Sequence, residues 1–525
     1  MKVIRKYTCM TVIAAMTVIF GACSSDNDLV TNANVSEPST VRTITFTAGP
    51  LGGDAETRAT LTDKETTIQS AWEVDDVVGV TYTNEEGEQF TTGKVTAVTE
   101  GVATISAEIE GTLVNGKSFF LNYPAYDSDQ YITFTKNMLA DQIGTLEDIQ
   151  DKWAYFNGSA DVSDNAAPAN IEMRSRSAIW KLTFKSNETD ITEDIKSLKI
   201  QWEDNSKNSF TYTVTPSSQE AIYVSLSDSY TPNADSEFQP VITLTATTKD
   251  DKKYVITKNA KTTFGWGKFY QSEIAFTDLS AITEDYTAKG GETLTGTLSE
   301  NVKLSVADGA TVTLSNVTVE GSYSNYNEHP GINCLGDATI ILTGENTVTG
   351  THNGSGIYVP QNKTLKIKGS GSLTARSSDS KGSGAGIGAY YSGYACGNIW
   401  IQGGTITATG GEMFAGIGGG DQSDFCGDIT ISGGTVTATG GKYAAGIGTG
   451  RGTRSSHSSC GDIFIGGDVI KVVANKGDDA PYSIGRGYSD ERIDGEEEYS
   501  KCGTITIDGV EYEQSYFNVD SYVLM

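Results

Sequence analysis

Cys396 to Gly420 reads CGNIWIQGGTITATGGEMFAGIGGG, and Cys426 to Gly450 reads CGDITISGGTVTATGGKYAAGIGTG. The same opening, Cys-Gly-[Asn/Asp]-Ile-x-Ile followed by Gly-Gly, returns at Cys460, and a shortened form, Cys-Gly-Thr-Ile-Thr-Ile, opens at Cys502. Successive starts lie 30, 34 and 42 positions apart, with most of the added length after the Gly-Ile-Gly segment. A core that keeps its register while one loop varies in length marks a stacked repeat.

Inside each unit apolar residues alternate with small polar ones: Ile399, Ile401, Ile406 and Ala408 in one copy, Ile429, Ile431, Val436 and Ala438 in the next. This is strand periodicity, broken by Gly-Gly where the backbone must turn without a Cβ. Three short strands per unit predict one coil of a parallel β-helix. A single coil cannot bury its own inward face, and stacking sets like residues in columns about 4.8 Å apart. Weaker copies upstream pair Val312/Leu314 with Val317/Val319, Ile340/Leu342 with Val348, and Leu365/Ile367 with Leu373/Ala375, each ahead of a Gly-Ile pair. The pattern then amounts to about seven coils over residues 290–510, entered through a short connector from Ile282 to Thr293. Residues 511–525 read as a cap, with Phe517, Val519, Tyr522 and Leu524 over the column ends.

The chain has 525 residues, 59 Gly and 10 Pro, enough length for two or three domains of an all-β class. A formal charge of -29 excludes nucleic acid and anionic membrane surfaces as partners. Lys2, Arg5 and Lys6 precede an apolar run too short to span a bilayer comfortably, and Phe20-Gly21-Ala22-Cys23 closes it. That segment resembles the lipobox of bacterial lipoproteins. The resemblance implies a signal peptide over 1–22, lipidation of the Cys23 thiol and a lipid anchor in the outer membrane. Ser24-Ser25-Asp26-Asn27-Asp28 resembles the acidic export tether of surface lipoproteins in the Bacteroides group, and residues 23–40 carry no periodicity, as a flexible tether would.

From Val41 short alternating runs follow one another, among them Thr43–Ala48, Val77–Thr83, Ala103–Ile109 and Tyr131–Thr135, then Ala178–Phe184, Leu198–Trp202, Val241–Thr247 and Tyr270–Phe276. Runs of this size split by Asn, Asp, Gly and Pro predict two antiparallel β-sandwiches, 41–165 and 170–280, with no long amphipathic helix. TRATLTD (Thr57–Asp63), WEVDDVVGV (Trp72–Val80), YPAY (Tyr123–Tyr126), SAIWKLTF (Ser177–Phe184) and FGWGKFYQSEIAF (Phe264–Phe276) occur in an order that resembles the fimbrillin family of the Bacteroides group. The resemblance covers residues 41–280. It implies transthyretin-like sandwiches and a subunit of type V pili or a related surface adhesin. It also implies cleavage by an Arg-specific protease at Arg58, with Arg42 a weaker position, and pilus subunits as partners through strand addition. Stalk subunits of that family end shortly after the second sandwich, so a further β-helix fits a tip, accessory or stand-alone adhesin better than a repeating shaft.

Chemistry is sparse. Cys396, Cys426, Cys460 and Cys502 share one phase of the repeat; parallel stacking points their Cβ atoms the same way, which favours a buried free-thiol ladder over disulfides. No tetrahedral metal set emerges, and no cofactor is implied. Calcium on Asp421, Asp424 and Asp428 has only weak support. His329, His352 and His457 lie in polar loops and read as exposed. The repeat resembles the pectate-lyase-like right-handed β-helix, whose enzymes use clustered aspartates, and no such set falls on consecutive coils; Asp478-Asp479, Asp490-Glu491 and Glu496–Glu498 sit in variable loops. Binding is the better reading. Tyr390, Tyr391, Tyr394 and Phe425 are the first candidates for a glycan- or protein-binding surface, with Tyr323, Tyr326, Tyr482 and Tyr488 in the same class of loop. A β-helix polysaccharide lyase or hydrolase and a purely structural spacer are the alternatives.

Overall fold

The computed structural model describes residues 41–51, 62–63, 68–69, 71–204, 206–227, 239–260, 264–300, 302–321, 329–378, 384–391, 394–421, 425–453, 457–490 and 499–525. Almost every element is a strand. Cys23, expected to carry the lipid, the expected tether over 24–40, Arg58, Tyr323, Tyr326, Asp424 and Glu491 to Glu498 lie outside the described residues.

Seven strands, Val41–Leu51, Val77–Asn84, Gly87–Thr99, Val102–Glu110, Ser118–Tyr123, Phe156–Asp161 and Ile171–Ser175, form the first module. They close into a barrel, where the sequence reading expected an antiparallel β-sandwich over 41–165. The closing seam is parallel: Val41–Leu51 runs antiparallel to Val102–Glu110 on one side and parallel to Ile171–Ser175 on the other. Alternation along each strand points Phe46, Val80, Ile105, Phe119 and Leu121 inward, and all are buried.

Between Tyr123 and Phe156 the chain leaves the barrel as an α-helix, Ser128–Met138, and a short helical turn. The run Tyr131–Thr135 is therefore helical and not a strand. Asp127 and Gln130 form a reciprocal capping box that satisfies the first-turn amides, and this end signal outweighs a five-residue alternation. Phe134, Met138, Ile149, Trp153 and Tyr155 from this excursion pack into the core of the second module. Gln142 fastens it there, donating to the Ser225 carbonyl and accepting from the Ser225 N–H.

The second module has two sheets. One holds Ser209–Val214, Ile195–Glu203, Val241–Thr248 and Lys253–Asn259. In the other, Ser177–Ser186 pairs antiparallel with Ile222–Ser227 and parallel with Phe269–Asp278. Phe269–Asp278 then pairs in parallel with Thr293–Leu298, Thr277 opposite Leu294, so this sheet runs without a break into the coil stack.

In the stack one wall is a parallel ladder of eight short strands from Tyr286–Ala288 to Ile484–Gly485. Three inward columns run along the axis. Val312, Ile340, Ile367, Ile401, Ile431, Ile465 and Ile507 are consecutive register partners. Val319, Val348, Ala375, Ala408, Ala438 and Ala474 form the second column, and Ile332, Ile357, Ile387, Ile417, Ile447 and Ile484 the third. Every member is buried. The third column is isoleucine throughout and the first is so from Ile340 on, so like residues face one another along most of the stack, which suits native packing density. The corner after the third column needs glycine: Gly418 has φ +127, and a Cβ there would lie 2.1 Å from the Gly448 carbonyl oxygen. At the far end Val510–Tyr512 folds back on Ile505–Ile507, and Ser521–Leu524 runs antiparallel to Val472–Asn475. Phe517 is buried there with Tyr522 and Leu524 against it, whereas Val519 faces solvent.

Candidate binding surface of the coil stack

The corner that follows each Gly-Ile-Gly segment carries loops of unequal length. Tyr390 and Tyr391 leave the stack directly after Ala389, and Tyr394 returns to it two residues before Cys396. Ring centroids lie 5.3 Å apart for Tyr390 and Tyr394, 6.2 Å for Tyr391 and Tyr394, and 6.3 Å for Tyr390 and Tyr391. Tyr358, from the coil before, joins at 5.6 Å from Tyr390. Its hydroxyl pKa is raised by burial, with the neighbouring Tyr394 adding to the effect. Sequence reading misses Tyr358, because its partner ring is more than thirty positions downstream and only the coil stacking brings the two together. Tyr394 is half exposed, and Phe425, on the next coil, is 41% exposed.

The cysteines set this corner. Cys396 is bonded to Cys426 and Cys460 to Cys502, with Cα atoms 4.4 and 4.5 Å apart, so the free-thiol ladder is replaced by two rung-to-rung disulfides. Adjacent parallel rungs bring the Cα atoms to the short end of the bridging range, and proximity outweighs the common direction of the Cβ vectors. Cys426 also faces Cys460 across a rung, yet the bonds alternate. Cys334 stays a free thiol, buried in a different column. The Cys396–Cys426 bond, with the Cys396 N–H donating to the Phe425 carbonyl, ties the Tyr394 and Phe425 loops together.

The other candidates separate. Tyr482 stacks with the Arg486 guanidinium at 5.2 Å, and Tyr488 packs edge-on to Tyr443 at 5.5 Å. Asp421 is buried with Oδ1 accepting from Arg451 Nε at 3.0 Å, whereas Asp428 is exposed and its Oδ1 accepts from the Asp462 N–H. Among the described residues no group of three or more His, Cys, Asp or Glu is placed to hold a metal ion. Asp479 pairs with Lys442 at 3.3 Å. His329 is buried rather than exposed: its backbone N–H donates to Thr351 Oγ1, whose hydroxyl donates back to the His329 carbonyl, and Nδ1 lies 3.0 Å from the Pro330 carbonyl. Burial holds its pKa below the ordinary histidine value. His352 is half-buried, and His457 is exposed and stacks on Tyr499.

A second surface feature runs along the axis. Thr405, Thr407 and Thr409 stand opposite Thr435, Thr437 and Thr439, and a groove of about 660 Å³ follows their edge, lined by Arg376, Thr409, Glu412, Lys442, Lys476 and Asp478. The repeated Thr-x-Thr of the quoted stretch is its sequence signal.

Residues 399–421 and 429–451 each match a family model described as a beta helix repeat. The stack is a β-helix repeat array. No curated protein matches the chain. Among solved structures, the chain is similar to a "putative cell adhesion protein" from Bacteroides uniformis, with 12% identity, a TM-score of 0.27, and coverage of 39% of this chain and 88% of that one. It is similar to another so described from Bacteroides ovatus, with 13% identity, a TM-score of 0.27, and coverage of 45% and 93%. A fimbrial assembly protein from Parabacteroides distasonis shows 14% identity, a TM-score of 0.24, and coverage of 45% and 92%. TM-scores this low assign neither fold nor function. Among the described residues no helix is long and apolar enough to cross a membrane.

Proposed function

We propose that the chain is a surface-anchored lipoprotein, held in the outer membrane through lipid on Cys23, that acts as an adhesin or as a tip or accessory pilus subunit. Its β-helix array presents the contact surface, and the partner is a glycan or a surface protein. One observation carries the reading: four tyrosines and a phenylalanine from three successive coils gather at one corner, partly exposed and stapled by the Cys396–Cys426 bond. Rings fixed in this way offer large contact area at little cost in side-chain entropy, the property of residues that dominate binding interfaces.

Strand addition is part of the same proposal. Cleavage at Arg58 severs the segment containing Val41–Leu51, and its departure leaves an open groove between Val102–Glu110 and Ile171–Ser175 for a strand of another subunit.

The test is a glycan and surface-protein array probed with the full chain, alongside a reducing-end assay on every glycan that binds. Binding without cleavage of at least one glycan or surface protein, that ligand being lost in Tyr391→Ala/Tyr394→Ala, agrees with the proposal. Release of reducing ends sinks it in favour of a lyase or hydrolase.

A further inference from the structure

The N-terminal barrel carries a cleft lined by aromatic and polar side chains, none of them from the coil stack. Its floor is the outer face of four adjacent strands. Phe90, Thr81 and Phe120 stand in one row across the sheet, and Gly79, Asn122 and Asn157 stand in the next. Gly79 makes room for its neighbours: a Cβ there would lie 2.0 Å from Asn122 Oδ1 and 3.0 Å from the Phe90 ring. The helical excursion supplies the wall. Tyr126 and Tyr131 lean over the sheet, with the Tyr155 ring 4.7 Å from that of Tyr131. The cleft is open to solvent and has a volume of about 330 Å³, at the lower end of the usual range for small-molecule sites.

Polar groups in the cleft divide into two sets. Asn122 is spent on the turn, donating to the Tyr126 carbonyl and accepting from the Tyr126 N–H. Asn157 is oriented: Oδ1 accepts from Arg176 Nε at 2.7 Å, which leaves its NH2 as a donor. Gln89 and Glu88, on the rim, make no side-chain hydrogen bond or ion pair among the described residues. Phe90 is 42% exposed beside them, its ring edge resting over Gly79. The lining contains the carboxylates of Glu88 and Asp127, and the Arg176 guanidinium is held on the far side of Asn157 by its bond to Oδ1.

We infer that this cleft binds a neutral saccharide. Apolar C–H faces of a pyranose ring stack on Phe90 and the tyrosines, as aromatic surface favours. Equatorial hydroxyls take the Asn157 donor, the Gln89 amide and the Glu88 carboxylate. The two lining carboxylates disfavour uronates and sialic acids by repulsion. The hydroxyl- and amide-bearing rim favours a polyhydroxyl ligand over a quaternary amine, which asks for ring faces on several sides and no donors.

The experiment is calorimetric titration of the full chain with four uncharged trisaccharides (maltotriose, cellotriose, xylotriose, mannotriose), with sialyllactose, and with choline. At least one uncharged sugar is expected to bind, and Phe90→Ala and Gln89→Ala are each expected to weaken it about tenfold, with circular dichroism unchanged. Tyr394→Ala is expected to leave that affinity alone, which separates this cleft from the coil-stack surface. Four outcomes overturn the inference: no uncharged sugar binds, sialyllactose or choline binds more tightly, the two cleft variants bind as the wild type does, or Tyr394→Ala alone abolishes binding.

Discussion

Ile431→Ala measures what one rung of the stack is worth. Ile431 is fully buried, and its register partners Ile401 and Ile465 are pinned above and below by parallel ladders. Removing three carbons forfeits about 2.4 kcal/mol of transfer free energy at about 0.8 kcal/mol per buried CH2. The pinned neighbours cannot collapse into the hole, so a cavity term adds to this and the total comes to about 3–5 kcal/mol. Ile431→Val removes one carbon and costs about 1 kcal/mol. Thr430→Ala, one residue away on the outward side, stays within about 0.5 kcal/mol. Because a multi-module chain does not unfold in one step, the assay is pulse proteolysis across a urea series, scoring fragments from the coil stack separately from the barrel. The expected result is a large fall in urea midpoint for the stack in Ile431→Ala, a small one for Ile431→Val, and none for the barrel. Equal midpoints for Ile431→Ala and Thr430→Ala would refute the inward column.

The same geometry sets further expectations. Peptide mapping without reductant is expected to show only the 396–426 and 460–502 links. Cys396→Ala/Cys426→Ala is expected to cost about 3.6 kcal/mol on the chain-entropy estimate for a loop of 30 residues. Burial pushes the Cys334 thiol up to about 12, so iodoacetamide at pH 8 should leave it unmodified in native protein and alkylate it fully in denaturant. His329 titrates below its ordinary value because it is buried. Below about pH 6.5 the unfolded chain takes a proton that the folded chain refuses. Stability is therefore complete at neutral pH and falls as pH drops through the ordinary histidine value toward the folded one, and the urea midpoint should decrease from pH 7 to pH 5, less so in His329→Gln.

The stack is legible in the sequence because its signal is repeated. Ile399, Ile429 and Ile463 hold the same place in three copies, and a register that survives loops of different length has few structural explanations. Closure of the barrel is not legible, since the parallel contact of Ala48 with Ile171 is non-local and neither strand announces it. The helix at Ser128–Met138 hides behind the alternation of YITFT, although Asp127 and Gln130 stand at capping-box spacing, a cue that outranks a short alternation. Side-chain direction alone points the stacked cysteines to free thiols, and Cα proximity decides for disulfides instead. His329 looks exposed for want of apolar neighbours in sequence, yet the coil fold delivers Thr351 to it from 22 positions away. The tyrosine corner is half visible: Tyr390, Tyr391 and Tyr394 adjoin in sequence, but Tyr358 joins them only through the stacking of coils.

Hydrogen exchange on the full chain, read by mass spectrometry, tests the central claim most directly. Peptides spanning Ile399–Ile401, Ile429–Ile431 and Ile463–Ile465 should stay protected for hours and open together, while the Tyr390–Tyr391 segment exchanges within seconds. Exchange of the buried rungs on the same timescale as the tyrosine loop would contradict a rigid stack of inward-facing columns.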